Sequence, residues 1–144
     1  MIINCKLLNE NATAPQFAKP GDAGADLIAT SKEWRKDGKQ IVYGTGVAVE
    51  IPEGFVGLVF PRSSVRNYDL SMSNSVGVID SGYRGEIMVT FNLLDEDHSV
   101  MYDVSEKVGQ LVIVPIPNVS YVKVKQLSDS ERGIGGFGST GVKS

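Results

Sequence analysis

Histidine and cysteine are nearly absent from this 144-residue sequence, which holds one of each, His98 and Cys5. A zinc site of His and Cys ligands cannot be built within one such chain, nor can an internal disulfide. A Ser-His-Asp or Cys-His arrangement would have to use His98, which sits in Asp95-Glu96-Asp97-His98, a run that reads as an exposed turn. Any metal then needs oxygen ligands, which points to magnesium, manganese or calcium. Long apolar runs are missing as well: the longest, Leu111 to Ile116, is far below the roughly 20 residues of a membrane-spanning helix. Positive charge is not in excess, with a net charge of -3, and no Lys/Arg cluster is interleaved with aromatics. Neither a nucleic-acid polymer nor a membrane is therefore an expected partner. The opening Met-Ile-Ile-Asn-Cys-Lys lacks the apolar core and cleavage site of a signal peptide, so a reducing cytoplasm is the expected compartment.

What is present is period-two alternation, the mark of half-buried strands. Glu86 to Leu93 is the clearest case, placing Ile87, Val89, Phe91 and Leu93 on one face. Val47, Val49 and Ile51 alternate in the same way, as do Val122 and Val124 against Lys123 and Lys125. Two continuous apolar runs, Phe55 to Phe60 and Leu111 to Ile116, read as strands covered on both sides. Turns rich in Gly, Pro and Asp separate the runs at Lys19-Pro20-Gly21-Asp22, Asp37-Gly38, Pro52-Glu53-Gly54 and Asp80-Ser81-Gly82. Many short strands with frequent turns imply one all-β domain, a sandwich or barrel. One short helix is expected, within Ser63 to Tyr68 or Ser31 to Lys36.

After Leu127 the composition turns to Ser, Asp and Gly, with too little apolar surface to anchor a tail in a core. The expected organisation is a β body over 1–130 and a mobile glycine-rich tail over 131–144. Gly133-Ile134-Gly135-Gly136-Phe137-Gly138 fits G-x-G-x-x-G and has the glycine spacing of a P-loop, but both readings fail on context. Each needs a helix after the glycines, and the P-loop lysine is replaced by Ser139. What survives is a segment whose backbone N–H groups can form a nest for an anion, with Ser139 and Thr140 as hydroxyl donors and Phe137 as a flat face for a base.

Five segments then carry a resemblance. They are Pro20-Gly-Asp-Ala-Gly-Ala-Asp26-Leu27; Pro61-Arg62-Ser63-Ser64; Asn74-Ser-Val-Gly77-Val78-Ile79-Asp80-Ser-Gly-Tyr83-Arg84-Gly85; Glu106-Lys107-Val108-Gly109-Gln110-Leu111; and Arg132-Gly-Ile-Gly-Gly-Phe137-Gly138-Ser139-Thr140-Gly141. In order and spacing they resemble the trimeric dUTPase family. The fourth departs from that family's G-D-R-I-A-Q-L, with Ser105 for glycine, Lys107 for arginine and Gly109 for alanine.

The resemblance implies a jelly-roll-like β subunit, a homotrimer with shared active sites, and hydrolysis of dUTP to dUMP and pyrophosphate with Mg2+ as cofactor. Segments one, two and four would come from one chain, the third, a hairpin, from a second, and the tail from a third. Asp80 would activate the water that attacks the α-phosphorus; by composition alone it reads as an Asx-turn residue. Arg62, Ser63, Ser64 and Gln110 would donate to the phosphate chain, although singly they read as a surface ion pair, turn or helix-cap serines and a strand-edge residue. Asp26 would hold magnesium through water; its plain reading is a turn aspartate. Uracil would be read by the backbone around Gly77, Val78, Ile79 and Met88, with Asn74 adding an amide. Tyr83 would lie against the deoxyribose and leave no room for a 2′-hydroxyl, where the plain reading is a half-buried strand-end tyrosine. Arg132, Gly138, Ser139 and Thr140 would engage the outer phosphates while Phe137 stacks on uracil; otherwise these are tail residues.

Two other classes compete. A dCTP deaminase shares a related fold and the serine-arginine region but uses a glutamate and lacks the I-D-x-x-Y pattern that Ile79-Asp80-Ser81-Gly82-Tyr83 supplies. A nucleotide-dependent regulatory or structural β trimer would need no catalytic residues, yet no segment here has lost them.

Overall fold

Most segments with strand periodicity become strands, and every pairing between them is antiparallel. A computed structural model describes residues 1–94 and 100–136. In chain order the strands are β1 Asn4–Leu7, β2 Ala25–Ile28, β3 Ser31–Arg35, β4 Gln40–Gly44, β5 Val47–Glu50, β6 Phe55–Phe60, β7 Leu70–Met72, β8 Gly77–Ile79, β9 Met88–Leu93 and β10 Lys107–Pro115. Two short 3-10 helices, Lys36–Gly38 and Ser63–Asn67, are the only helices among the described residues. The strands form sheets ordered β2-β10-β6-β8 and β3-β4-β9-β7, with the pair β1-β5 beside them, a jelly-roll-like all-β subunit. No helix of the described residues is long and apolar enough to cross a membrane.

The inward positions of the alternating strands meet in one core that joins Val47, Val49 and Ile51 to Ile87, Val89 and Phe91 and to Leu27, Val59, Val108 and Leu111. Burial of such side chains is the main stabilising term, at roughly 1.5–3 kcal/mol for each large apolar group. Aromatic edges add geometry: Tyr43 meets Phe91 and Tyr102 edge-on, with ring centroids 5.9 and 6.1 Å apart. The buried Tyr43 hydroxyl donates to the Tyr102 carbonyl at 2.8 Å, so its burial leaves no unpaired donor. Burial, with Asp103 and Glu106 nearby, pushes the Tyr43 phenol well above its ordinary range.

Four expectations need correction. Ser31–Arg35 is a strand, not a helix, because it zips onto Gln40–Gly44 through the turn at Asp37-Gly38, where Gly38 takes a φ of 86°. A six-residue helix would be marginal, whereas the hairpin satisfies the same backbone groups cooperatively. The helical alternative at Ser63 is present, as 3-10 rather than α.

The run Val122 to Val124 forms no strand, and its side chains are exposed, as are Tyr121 and Leu127. Among the described residues no strand pairs with it. The apolar strands β6 and β10 bury Gly57, Val59, Val108 and Leu111, but Val56, Leu58, Val112 and Val114 are only half-buried and Ile116 is exposed. One face of this sheet packs on the core and the other does not. Finally, β8 and β9 do not form a hairpin ladder: β8 pairs with β6, and β9 is flanked by β4 and β7. The turn between them crosses from one sheet to the other.

Candidate active site

The ladder of the first sheet gathers three of the five segments. Gln110 on β10 stands opposite Asp26 on β2 and opposite Phe60 at the end of β6, from which the chain runs into Pro61 and Arg62. Asp26, only 8% exposed, accepts from Arg62 Nε through Oδ1 and from Lys107 Nζ through Oδ2, each at 2.7 Å. Two cations thus stand on one buried carboxylate, at a site with room for an anion. Gln110 Nε2 donates to the Pro61 carbonyl at 3.1 Å. Gly24 makes space for that side chain, since a Cβ there would sit 3.0 Å from Gln110 Cδ and closer still to Oε1. Ser63 is exposed at the head of its 3-10 helix. A cavity of about 280 Å³ is lined by Ala18, Asp22, Ala23, Gly24, Asp26, Arg62, Ser63 and Gln110. No group of three His, Cys, Asp or Glu able to hold a metal ion occurs among the described residues. Two carboxylates, Asp22 and Asp26, line the cavity, and both oxygens of Asp26 already hold cations; a magnesium ion there would keep its waters and take phosphate oxygens as its main ligands.

Behind this cavity lies support that the motifs do not announce. Ser64 Oγ is 3.5 Å from Arg62 Nη1 and 3.4 Å from the Tyr102 hydroxyl. The Tyr102 ring stacks on Tyr68 at a centroid distance of 3.9 Å, and Tyr68 donates to Glu106 Oε1 at 3.2 Å. Burial raises the pKa of both tyrosines, so both stay protonated donors.

The third segment builds a second pocket. Asp80 follows the end of β8, its backbone carbonyl accepts the Tyr83 N–H at 3.0 Å, and the residue is exposed. Tyr83 folds back so that its hydroxyl donates to the Glu86 carbonyl at 3.0 Å. Arg84 fixes the far side of the turn, donating to the Ser81 carbonyl at 2.6 Å and to Glu50 Oε1 at 3.3 Å. An Asn4 hydrogen bond, and then Arg84, hold the Glu50 carboxyl below its ordinary range. Val78, Ile79, Asp80, Tyr83, Glu86, Met88 and Thr90 line about 270 Å³ of space. Because β8 is the edge of its sheet, one side of its backbone has no strand partner among the described residues, which leaves amide donors and acceptors for a planar ligand edge. Gly77 is buried against Val59, and Asn74 is exposed just before it.

The two pockets share no lining residue, and the register explains why. Ile79 pairs with Gly57, so Asp80 continues beside position 56, while Arg62 lies six residues further along the chain (56 to 62), just past the end of β6 at Phe60. At ~3.3 Å per residue that is a separation of roughly 20 Å. Arg132 is remote in another way: it is exposed and donates to the Gly135 carbonyl at 3.0 Å within its own turn. His98, Phe137, Gly138, Ser139 and Thr140 lie outside the described residues.

Lys107 is the contact that sequence reading undervalued. Strand alternation puts residues 107 and 110 on opposite faces, but the register slips between Lys107 and Gly109 and returns Lys107 to the side of Asp26. Tyr102 gave no signal beyond its closeness to the fourth segment, and Glu106, which opens that segment, none beyond its place in it.

Of the nominated residues, the first pocket holds Asp26, Arg62, Ser63 and Gln110, and the second Val78, Ile79, Asp80, Tyr83 and Met88. A family model for dUTPase matches residues 10–141. A deoxyuridine 5'-triphosphate nucleotidohydrolase of Cutibacterium acnes is 44% identical over 129 residues, covering 89% of this chain and 85% of that protein. The Staphylococcus bacteriophage 80alpha dUTPase, solved with dUPNHPP, superposes with a TM-score of 0.83 at 32% identity over 98% of this chain and 99% of that one. The D95N dUTPase of phage phi11 of S. aureus, solved with a structural Mg(II) ion, matches with a TM-score of 0.72 at 27% identity, covering 88% of this chain and 98% of its own. With a family match across most of the chain and the same fold around the same segments, this chain belongs to the dUTPase family.

Proposed function

We propose that this chain hydrolyses dUTP to dUMP and pyrophosphate by in-line attack of water at the α-phosphorus, in sites assembled from three copies of the chain. The separation of the two pockets carries the shared-site reading. An attacking water has to lie about 3–3.5 Å from phosphorus, and phosphate donors about 3 Å from its oxygens. Counted as extended chain, the backbone positions of Asp80 and Arg62 in one chain stand roughly 20 Å apart. A neighbour's turn brought to this chain's cationic cavity removes the conflict.

In that site the exposed Asp80 carboxylate takes a proton from the water. Arg62, Lys107, Ser63, Ser64 and Gln110 spread their charge and hydrogen bonds over the phosphates. Asp26 orients both cations before substrate arrives, so little reorganisation is left for the reaction itself. Magnesium, when bound, neutralises phosphate charge, and Asp26 would hold it through water. The free edge of β8 at Val78 and Ile79, with Met88 and Asn74 beside it, presents amide groups to uracil, and Tyr83 lies against the deoxyribose. Arg132, Ser139 and Thr140 of a third copy engage the outer phosphates, Gly138 lets the backbone approach, and Phe137 stacks on the base, so that residues 131–144 act as a lid on the body. The unpaired, exposed run from Val119 to Leu127 and the half-covered outer face of β6 and β10 supply the apolar surface that a trimer would bury. An exposed free thiol at Cys5 suits a reducing cytoplasm.

Pyrophosphate release measured with dUTP, dCTP and UTP tests the assignment. Strong release from dUTP alone is expected; ammonia from dCTP would favour the deaminase, and no turnover of any nucleotide would favour a regulatory trimer.

A further inference from the structure

Gly85 carries no backbone reason to be glycine. The described glycines with left-handed φ are Gly21, Gly38, Gly46, Gly54 and Gly133, and Gly85 is not among them. Its backbone is one that an alanine adopts without strain. What a side chain would meet is Tyr83: a Cβ on Gly85 would lie 2.5 Å from Tyr83 Cζ, 3.0 Å from Cε2 and closer still to the hydroxyl oxygen. All three nearest atoms belong to one side chain.

The Tyr83 ring is not clamped by the core. The residue is 42% exposed, and its hydroxyl reaches across Gly85 to donate to the Glu86 carbonyl at 3.0 Å. The ring therefore lies on the bare Cα of Gly85, tethered at its tip. We propose that Gly85 is a specificity-determining positioning residue: it sets the depth at which the Tyr83 ring sits, and so the clearance left at C2′ of the bound nucleotide. This rests on the reading of Tyr83 as the surface against the deoxyribose. Discrimination against an added hydroxyl is a matter of ångströms, because a ring shifted by the radius of one atom no longer stands where it excludes the larger sugar. A methyl group on Gly85 must displace the ring. The displaced group is the end of an exposed side chain, so the shift costs the fold little and the selectivity much.

The test is kcat/KM for dUTP and for UTP, with the melting temperature, in Gly85→Ala, Tyr83→Ala and the double variant. Gly85→Ala is expected to lower the dUTP/UTP ratio by roughly 10-fold, chiefly through KM, while Tm stays within about 2 °C. Tyr83→Ala should lower the ratio at least as far, and Gly85→Ala added to it should change the ratio no further, as no ring remains to move. An unchanged ratio in Tyr83→Ala would overturn the reading of Tyr83 itself. A fall in Tyr83→Ala with none in Gly85→Ala would overturn the role of Gly85 alone. Should Gly85→Ala lose stability, removal of the ring in the double variant should restore Tm. A loss that persists there, or a further fall in the ratio, would place the action of Gly85 elsewhere and overturn the proposal.

Discussion

Asp26→Asn isolates the carboxylate that holds two cations, and its cost can be worked from the geometry. Arg62 and Lys107 each lose a charge-assisted bond of 2.7 Å. Removing one partner of a fully buried pair costs about 3–5 kcal/mol, because the charge left behind is stranded. Neither cation is stranded here: the Arg62 side chain is 29% exposed and that of Lys107 45%, so both can turn to water. The penalty should therefore fall toward that of partly exposed pairs, about 1–2 kcal/mol in total, or roughly 3–6 °C in melting temperature. The functional loss should be larger. Asparagine can still accept one hydrogen bond but cannot orient both cations, so Arg62 and Lys107 would have to be ordered by the substrate itself. A fall of about 10–100-fold in kcat/KM for dUTP is expected, with the loss of stability shrinking as salt is raised. Thermal melts at low and high salt, with steady-state pyrophosphate release, measure both effects. A variant with wild-type kcat/KM would refute the claim that Asp26 organises the phosphate cavity, and a Tm loss above 10 °C would refute the solvent-relief argument.

Asp80→Asn keeps the size of the side chain and removes the base, so turnover should drop by roughly 10²–10⁴-fold while dUTP still binds. Near-normal turnover with tight binding would take Asp80 out of the chemistry. Ser105 takes a φ of 76°, a region that suits glycine. Ser105→Gly should therefore raise stability by about 0.5–1 kcal/mol, visible as a Tm gain of a few degrees, and a lower Tm would contradict that account of the strain. Excess chelator should depress dUTP hydrolysis strongly and magnesium should restore it, with zinc holding no advantage; full activity in chelator would remove the metal.

The core was legible because alternation and burial coincide where one sheet face meets the core: Ile87, Val89 and Phe91 were placed by period alone. β3 was not legible, since every residue from Ser31 to Arg35 is exposed and an edge strand without a buried face leaves no period to read. Val122 and Val124 fail for the opposite reason: the alternation is there, but no strand among the described residues accepts it. Asp80 shows how composition misleads at a site. The Asp-Ser-Gly turn is present, closed by the backbone carbonyl of Asp80, and the Asx reading alone would have ended there. The motif order, not local propensity, singled out the carboxylate. Lys107 was hidden by a bulge, which alternation cannot anticipate, and Tyr102 joins the site through a stack and a hydroxyl contact across sequence distance.

The most direct test of shared sites mixes two dead chains, Arg62→Ala, which lacks the cationic cavity, and Asp80→Asn, which lacks the base. After subunit exchange at equal ratio, a site needs its cavity from an Asp80→Asn chain and its turn from an Arg62→Ala chain. Each condition is met half the time, so about a quarter of the wild-type activity should appear in the mixture. If mixed trimers are verified by mass spectrometry and activity stays at the level of the separate variants, each chain builds its own site and the shared arrangement is wrong.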